Sequence, residues 1–368
     1  MLPWASAAYS RFTFMIAVRT YANQEKTASE TSLEVIASGC SLGNSGLIRV
    51  HRVLFISTTR RRSGWPTVNA DEFQSIWSDR QIQLIGIGDS ITAGLGANSK
   101  SHRFFNRLRR NPSDEFADMQ GNCLENVLPN LNSENFAISG SESMMHLQVI
   151  QETVPTYENA FGIVVMTSGG NDLIHSYGKS PPRECAMYSA TLEQAQPWIE
   201  NYRVRLDTMI RKIVDKFPSG CEIYIGDIYD PTDGVGDAPS VFLPNWPDGL
   251  AIHAQYNKMI RSVASKHDFV HVVPLHELFL GHGSHCRQFW QKHYDSEDPH
   301  YWFYSNIEDP NDRGYDAIRR VFLNSIASNT RLRNDETASG MESPEPNQGA
   351  EPPPTPDNAA TPDQASTL

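Results

Sequence analysis

The chain predicts an α/β fold, a three-layer α/β/α sandwich around a mostly parallel five-stranded sheet. Three observations carry this. Short apolar runs alternate with amphipathic stretches through the middle of the chain; the runs are apolar throughout, not at every second residue; and several end in glycine, serine or asparagine. Strands separated by helices imply crossover connections and parallel pairing. Strands that are apolar on both sides imply helices on both faces of the sheet.

The strands come in this order. Ile82-Gln83-Leu84-Ile85-Gly86-Ile87-Gly88 is the first, and Asn135-Phe136-Ala137-Ile138-Ser139 is a short second. Gly162-Ile163-Val164-Val165-Met166-Thr167 is the third, Cys221 to Gly226 the fourth, and Phe269 to Val273 the fifth. Length, β-branching and flanking turn residues mark each one. The helices lie between them. Ser101–Arg110 and Met144–Tyr157 are followed by a long amphipathic helix over Leu192–Phe217. In it Leu206, Met209, Ile210, Ile213 and Val214 share one face, and Pro218-Ser219-Gly220 ends it. Leu250–His267 is the next helix. Asp312–Ala327 closes the domain, with Tyr315, Ile318, Val321, Phe322 and Ile326 turned inward.

The 368 residues are 39% hydrophobic and carry a formal charge of −12. That length suits one large domain or two ordinary ones, and no internal repeat divides it. One domain is expected over 79–330. Residues 1–78 show no sustained periodicity and read as a poorly ordered leader. Residues 331–368 are rich in Glu, Pro, Ser and Thr and read as a disordered acidic tail, too polar to offset its ordering entropy. The acidic balance argues against a nucleic-acid partner, which needs basic stripes. No apolar run approaches the ~20 residues of a membrane span. Phe12–Val18 and Val53–Ile56 are weak export signals, so a cytoplasmic and an exported location both stay open. Of the five cysteines, Cys123, Cys185, Cys221 and Cys286 fall in the body of the chain. They are expected as buried thiols, with two bridges as the alternative. No CxxC pair marks a zinc site.

Chemistry concentrates where strands end. Gly88-Asp89-Ser90, Ser139-Gly140 and Gly169-Gly170-Asn171-Asp172 each follow a strand. In a parallel sheet those ends share one edge, where ligands bind. The edge then holds a hydroxyl, a glycine amide and a carboxamide. A serine attacking an ester needs that set, because the oxyanion must meet preorganised donors: the Ser90 and Gly140 amides and the Asn171 side chain. Each residue alone is as well explained as a cap or a turn; the three together are not. Asp227, Asp230, Asp233 and Asp237 could offer oxygen to Ca²⁺, but their spacing is not that of an EF-hand, and strand-end acids on a loop are the simpler account. No metal is expected.

These segments resemble the SGNH hydrolases, also called GDSL esterases and lipases. Gly88-Asp89-Ser90 matches the first block, Asn135 to Gly140 is similar to the second, and Gly169-Gly170-Asn171-Asp172 matches the third. The resemblance covers about 80–328. It implies the SGNH, flavodoxin-like sandwich, Ser90 as nucleophile, and Gly140 and Asn171 as oxyanion donors. The family's fourth block, D-x-x-H-P before the last helix, supplies a histidine and its aspartate. Here Asn306 stands at the aspartate position and Asp309 at the histidine position. A carboxylate of ordinary pKa, ~3.9, is a weak base for a serine hydroxyl. Three solutions follow. A histidine held by Asp309 comes from elsewhere, His300 first, then His282 or His285. Or Asp309, desolvated, is itself the base. Or the protein binds a carbohydrate or lipid without turnover. The expected function is cleavage of a carboxylic ester through an acyl-enzyme on Ser90, of the esterase, lipase or carbohydrate deacetylase type. No cofactor is required, and the partner is a small-molecule ester. Trp246, Trp290, Tyr301 and Trp302 lie on candidate rim loops, where aromatics suit sugars or acyl chains, although buried aromatics are as common.

Overall fold

A computed structural model describes residues 65–333. Most of the leader, with both weak export signals and Cys40, and the tail beyond 333 lie outside the described residues. The sheet has five strands, all parallel, in the order β2-β1-β3-β4-β5. They are β1 (Ile82–Ile87), β2 (Leu131–Asn135), β3 (Phe161–Thr167), β4 (Cys221–Gly226) and β5 (Val270–Val273). After β1 the chain steps outward to β2, then crosses back to β3 on the other side. The order reverses between β1 and β3, which opens a crevice at their carboxyl ends.

Alternation along the central strands divides the core in two. Ile85, Ile87, Val164, Met166, Ile223 and Ile225 face one way. They pack on α4 (Ser143–Glu152), α6 (Leu192–Asp215) and α7 (Gly249–Ala264). Ile82, Leu84, Ile163, Val165 and Tyr224 face the other way, toward α2 (Phe104–Arg109), α8 (Leu275–Phe279) and α9 (Asp312–Asn329). Each such side chain, removed fully from water, contributes about 1.5–3 kcal/mol before entropy is counted. Three short helices complete the list: α1 (Ser90–Ala93), α3 (Leu124–Val127) and α5 (Gly170–Ile174).

Two expectations need correction. The second strand is Leu131–Asn135, not 135–139. It lies at the sheet edge and is only partly covered, so its residues are mostly polar. The apolar Phe136-Ala137-Ile138 is the loop beyond it. That loop still follows β1, with Phe136 N donating to Gly86 O at 2.8 Å and Ile138 N to Gly88 O at 2.9 Å. The packed domain also starts before 79: Phe73 and Trp77 are buried against the α9 side of the core. The four cysteines within it are free and buried, as thiols.

Candidate active site

The site grows from the end of β1. Gly88 sits at φ +140, and a Cβ there would lie 2.3 Å from the Thr167 carbonyl oxygen. Only glycine lets β1 and β3 run this close before the chain turns. Asp89 then caps α1, its carboxylate accepting Ile91 N at 3.1 Å. The same carboxylate oxygen accepts the Thr167 hydroxyl at 2.8 Å. Because Thr167 donates there, Thr92 donates to Thr167, also at 2.8 Å. Asp89 therefore ties the ends of β1 and β3 together and is buried in doing so. Burial, more than anything else, pushes its carboxyl up to about 6, and the nearby Asp309 adds to this. Ser90, the first residue of α1, stands at the carboxyl edge of the sheet.

The loop after β2 and the turn after β3 are joined three times. Asn171 donates its side-chain amide to Ser141 O at 2.8 Å, which fixes the carboxamide and leaves its second N–H to point elsewhere. Ser143 donates its backbone N–H and its hydroxyl to Asp172, at 2.8 and 2.5 Å. The third link is His146 on α4, buried between Ser141 Oγ at 2.8 Å and Ser168 Oγ at 2.9 Å. The Ser141 hydroxyl is spent on Ile138 O at 2.6 Å, so it accepts from His146 Nε2, and His146 Nδ1 accepts from Ser168. That histidine is neutral, its pKa lowered by burial to about 4. Gly140, at φ +79, is at the exposed end of the loop this network secures.

Ser90 and Asn171 line one cavity of about 180 Å³. Asp89, Ser168 and Gly170 share its polar end, with Asn306, Ile307 and Glu308 from the segment before α9. Asp309 is buried behind that segment. Asn306 donates to its Oδ2 at 2.5 Å, and Asp309 N donates back to Asn306 Oδ1 at 3.2 Å. Burial raises the Asp309 pKa above the ordinary carboxylate value, while the Ser90 hydroxyl and Asn306 pull it down. The Ser90 contact is close but not a well-formed hydrogen bond, since Asp309 Oδ1 is left without a partner of proper geometry. Two features mark this segment. Ile307 sits at φ +76, rare for a β-branched residue. The hydroxyls of Tyr177 and Tyr229 donate to the Glu308 carboxylate and carbonyl.

The other histidines of the sequence reading lie apart from this cavity. The His300 side chain is 59% exposed and bonds Asp298 at 2.5 Å, which also takes Arg313 at 2.6 Å. His282 stacks flat on Trp302, ring centroids 3.5 Å apart. His285 bonds Asp237 at 2.8 Å. The histidine that does line the cavity is His253 on α7, and its Nε2 is engaged by the Ile228 carbonyl at 2.7 Å. Neither His253 nor His146 stands out in the sequence, since both sit inside helices among residues that pack against the core. Of the four rim aromatics, Trp246 walls the cavity, Trp290 is exposed, Trp302 is buried and Tyr301 is half-buried.

The aspartates after β4 spend their oxygens on the protein. Asp230 accepts Thr232 N and Gly234 N, both at 2.8 Å. Asp233 accepts the amides of Gly281, Gly283 and His285, at 2.9, 2.7 and 2.8 Å. Asp227 accepts His276 N at 2.7 Å. Among the described residues no group of His, Cys, Asp or Glu is arranged to hold a metal ion, and no helix is long and apolar enough to cross a membrane.

A parallel α/β/α sandwich with a serine after its first strand and an asparagine after its third, both opening on one cavity, defines a class of strand-edge serine proteins. The chain belongs to the GDSL-like lipase/acylhydrolase family, whose sequence profile matches residues 87–317. No curated protein sequence matches it. Among solved structures it is similar to the lipase Lip_vut3 from a goat rumen metagenome, at 18% identity and TM-score 0.44, covering 68% of this chain and 99% of that one. It is also similar to Axe2, an acetylxylan esterase from Geobacillus stearothermophilus, at 16% identity and TM-score 0.43, covering 68% and 96%. A third is a lipase/acylhydrolase from Enterococcus faecalis, at 16% identity and TM-score 0.42, covering 67% and 96%.

Proposed function

We propose that the protein hydrolyses carboxylic esters through an acyl-enzyme on Ser90, with Asp309 in place of the family's histidine as the proton carrier. One observation carries the reading: the Ser90 hydroxyl faces a buried carboxylate of raised pKa while sharing a cavity with Asn171. An ordinary aspartate would be too weak a base; one whose charged form is disfavoured by burial holds a proton more tightly, as a base must. Ser90 Oγ attacks the carbonyl carbon and its proton passes to Asp309. The oxyanion that forms is met by the Ser90 and Gly140 amides and the free N–H of Asn171. Collapse breaks the bond to the alcohol, which leaves with the proton from Asp309. Water then attacks the acyl-serine, giving its proton to Asp309, and the acid departs with Ser90 restored. Asn306 donates to the far oxygen of Asp309 and so orients it, the role an aspartate plays toward histidine elsewhere.

The test is covalent labelling by a fluorophosphonate beside hydrolysis of p-nitrophenyl acetate, with Ser90→Ala as control. Labelling and turnover that both vanish in Ser90→Ala support the reading. A folded protein inert to probe and ester alike sinks it, and leaves a protein that binds without turnover.

A further inference from the structure

We propose, building on the ester-hydrolase reading, that the cavity takes the acyl chain of the substrate and selects a neutral chain of about six to eight carbons, or an aromatic acyl group, over acetyl. Beyond Ser90 one stretch of the wall is apolar: Leu173, Val241, Leu243, Trp246 and Leu250. The far wall is fixed in place. Trp246 donates its indole N–H to Ala190 O at 2.8 Å and lies 4.7 Å from the Tyr188 ring, whose hydroxyl is held by Pro244 O. The space is therefore built into the fold and does not depend on a ligand to open it. A cavity of about 150 Å³ lined by aliphatic and aromatic side chains accepts benzene; this one, at about 180 Å³, is somewhat larger. An acetyl group would leave that apolar stretch to water.

Charge narrows the class further. Asp89, Asp227, Asp230 and Glu308 line the cavity, and no lysine or arginine does. An acyl chain ending in a carboxylate would be buried among like charges with no counter-ion, which is strongly unfavourable. The acyl side of the ester is favoured over the alcohol side for a chemical reason. The alcohol leaves in the first half-reaction, whereas the acyl group stays bonded to Ser90 until water arrives. A walled cavity beside Ser90 suits the group that stays.

The experiment measures kcat/KM of the full chain on p-nitrophenyl acetate, butyrate, hexanoate, octanoate and dodecanoate, with the p-nitrophenyl half-ester of adipic acid as the charged counterpart of hexanoate. Each methylene that leaves water is worth about fourfold, so hexanoate should exceed acetate by at least about tenfold, with the rise ending near octanoate. Adipate should fall at least about tenfold below hexanoate. Leu243→Trp, which fills the cavity, should lower the hexanoate-to-acetate ratio below that of the parent. Activity that is highest on acetate and falls with every added carbon overturns the inference while leaving the hydrolase reading intact; so does adipate cleaved as well as hexanoate. The chain-length profile needs no variant, so a misfolded Leu243→Trp protein leaves the test standing. Failure on every ester together with absence of fluorophosphonate labelling removes the hydrolase reading and this inference with it.

Discussion

Replacing Asp309 by asparagine keeps the side chain's size and removes its charge. If Asp309 carries the proton, kcat on p-nitrophenyl acetate should fall by a factor on the order of 10²–10⁴, the usual worth of a general base. Stability should move the other way. Asp309 and Asp89 are both buried carboxyls with raised pKa. A carboxyl whose folded-state pKa lies above its unfolded value binds its proton more tightly when folded. Its ionisation therefore costs stability, nothing below the unfolded pKa and progressively more as pH rises through the folded one. Asp89, at about 6 against 3.8, costs on the order of 3 kcal/mol at neutral pH. Part of that comes from Asp309, although burial is the larger cause. Asp309→Asn removes Asp309's own cost and lowers the Asp89 pKa. The melting temperature should rise at pH 7, by about 2–4 °C for each kcal/mol recovered in a domain of this size. The gain should shrink as pH falls toward the ordinary carboxylate range, where the cost of ionisation is absent. A parent enzyme should also lose kcat/KM on acidification at a pH above the ordinary carboxylate range, because Asp309 must be ionised to act. Thermal melts and initial rates on the same preparations decide the matter. Loss of activity together with a lower melting temperature would refute the reasoning, since that is what a structural carboxylate does. So would an asparagine variant within about tenfold of the parent.

The site supports further predictions. His146→Phe removes both ring nitrogens, leaving the Ser168 hydroxyl without its acceptor and the Ser141 hydroxyl without the donor it accepts from. It should cost about 1–3 kcal/mol in denaturant unfolding and lower kcat with little change in KM, and His146→Gln should restore part of both. Gly88→Ala should prevent folding or depress the melting temperature severely, since its Cβ would collide with the Thr167 carbonyl. Gly140→Ala meets nothing within 4 Å and should cost only the about 1–2 kcal/mol of a left-handed backbone; equal losses in the two would contradict the packing described. His300→Ala should keep kcat within about a factor of two, as its ring is engaged by Asp298; a loss like that of a general base would return the proton to His300.

Most of the fold can be read in the sequence, and the reasons are physical. β1, β3 and β4 are covered on both faces, so their apolar runs mark them to within a residue. α6 is delimited at both ends by residues with one use: Thr191 and Gln194 form a capping box, and Pro218-Ser219-Gly220 cannot continue a helix. β2 misleads because an edge strand need not be apolar, whereas the loop after it is. The leader misleads because Phe73 and Trp77 bury themselves without any periodic pattern around them. In the candidate site, the positions of Ser90 and Asn171 at one sheet edge are legible because a strand and a turn of fixed spacing place them. The partner of Ser90 could not be chosen from sequence. His300 and Asp309 lie on the same connection, and which one turns inward depends on Asp298 capturing the His300 ring and on Asn306 clasping Asp309. The cavity's depth could not be read either. Leu173 lies on α5 while Val241, Trp246 and Leu250 fall in one stretch after β4, and nothing in their spacing says that the two meet.

The Asp233 carboxylate bears on how this protein could acquire new specificities. By accepting three amides from residues 281–285, it makes the segment after β4 and the segment after α8 a single inherited piece. Transplanting either segment alone from a relative would strand up to three buried N–H groups, each costing about 1–3 kcal/mol. Random insertions here should be poorly tolerated, and laboratory evolution of the substrate range should succeed when the two segments are recombined as a unit with Asp233 kept.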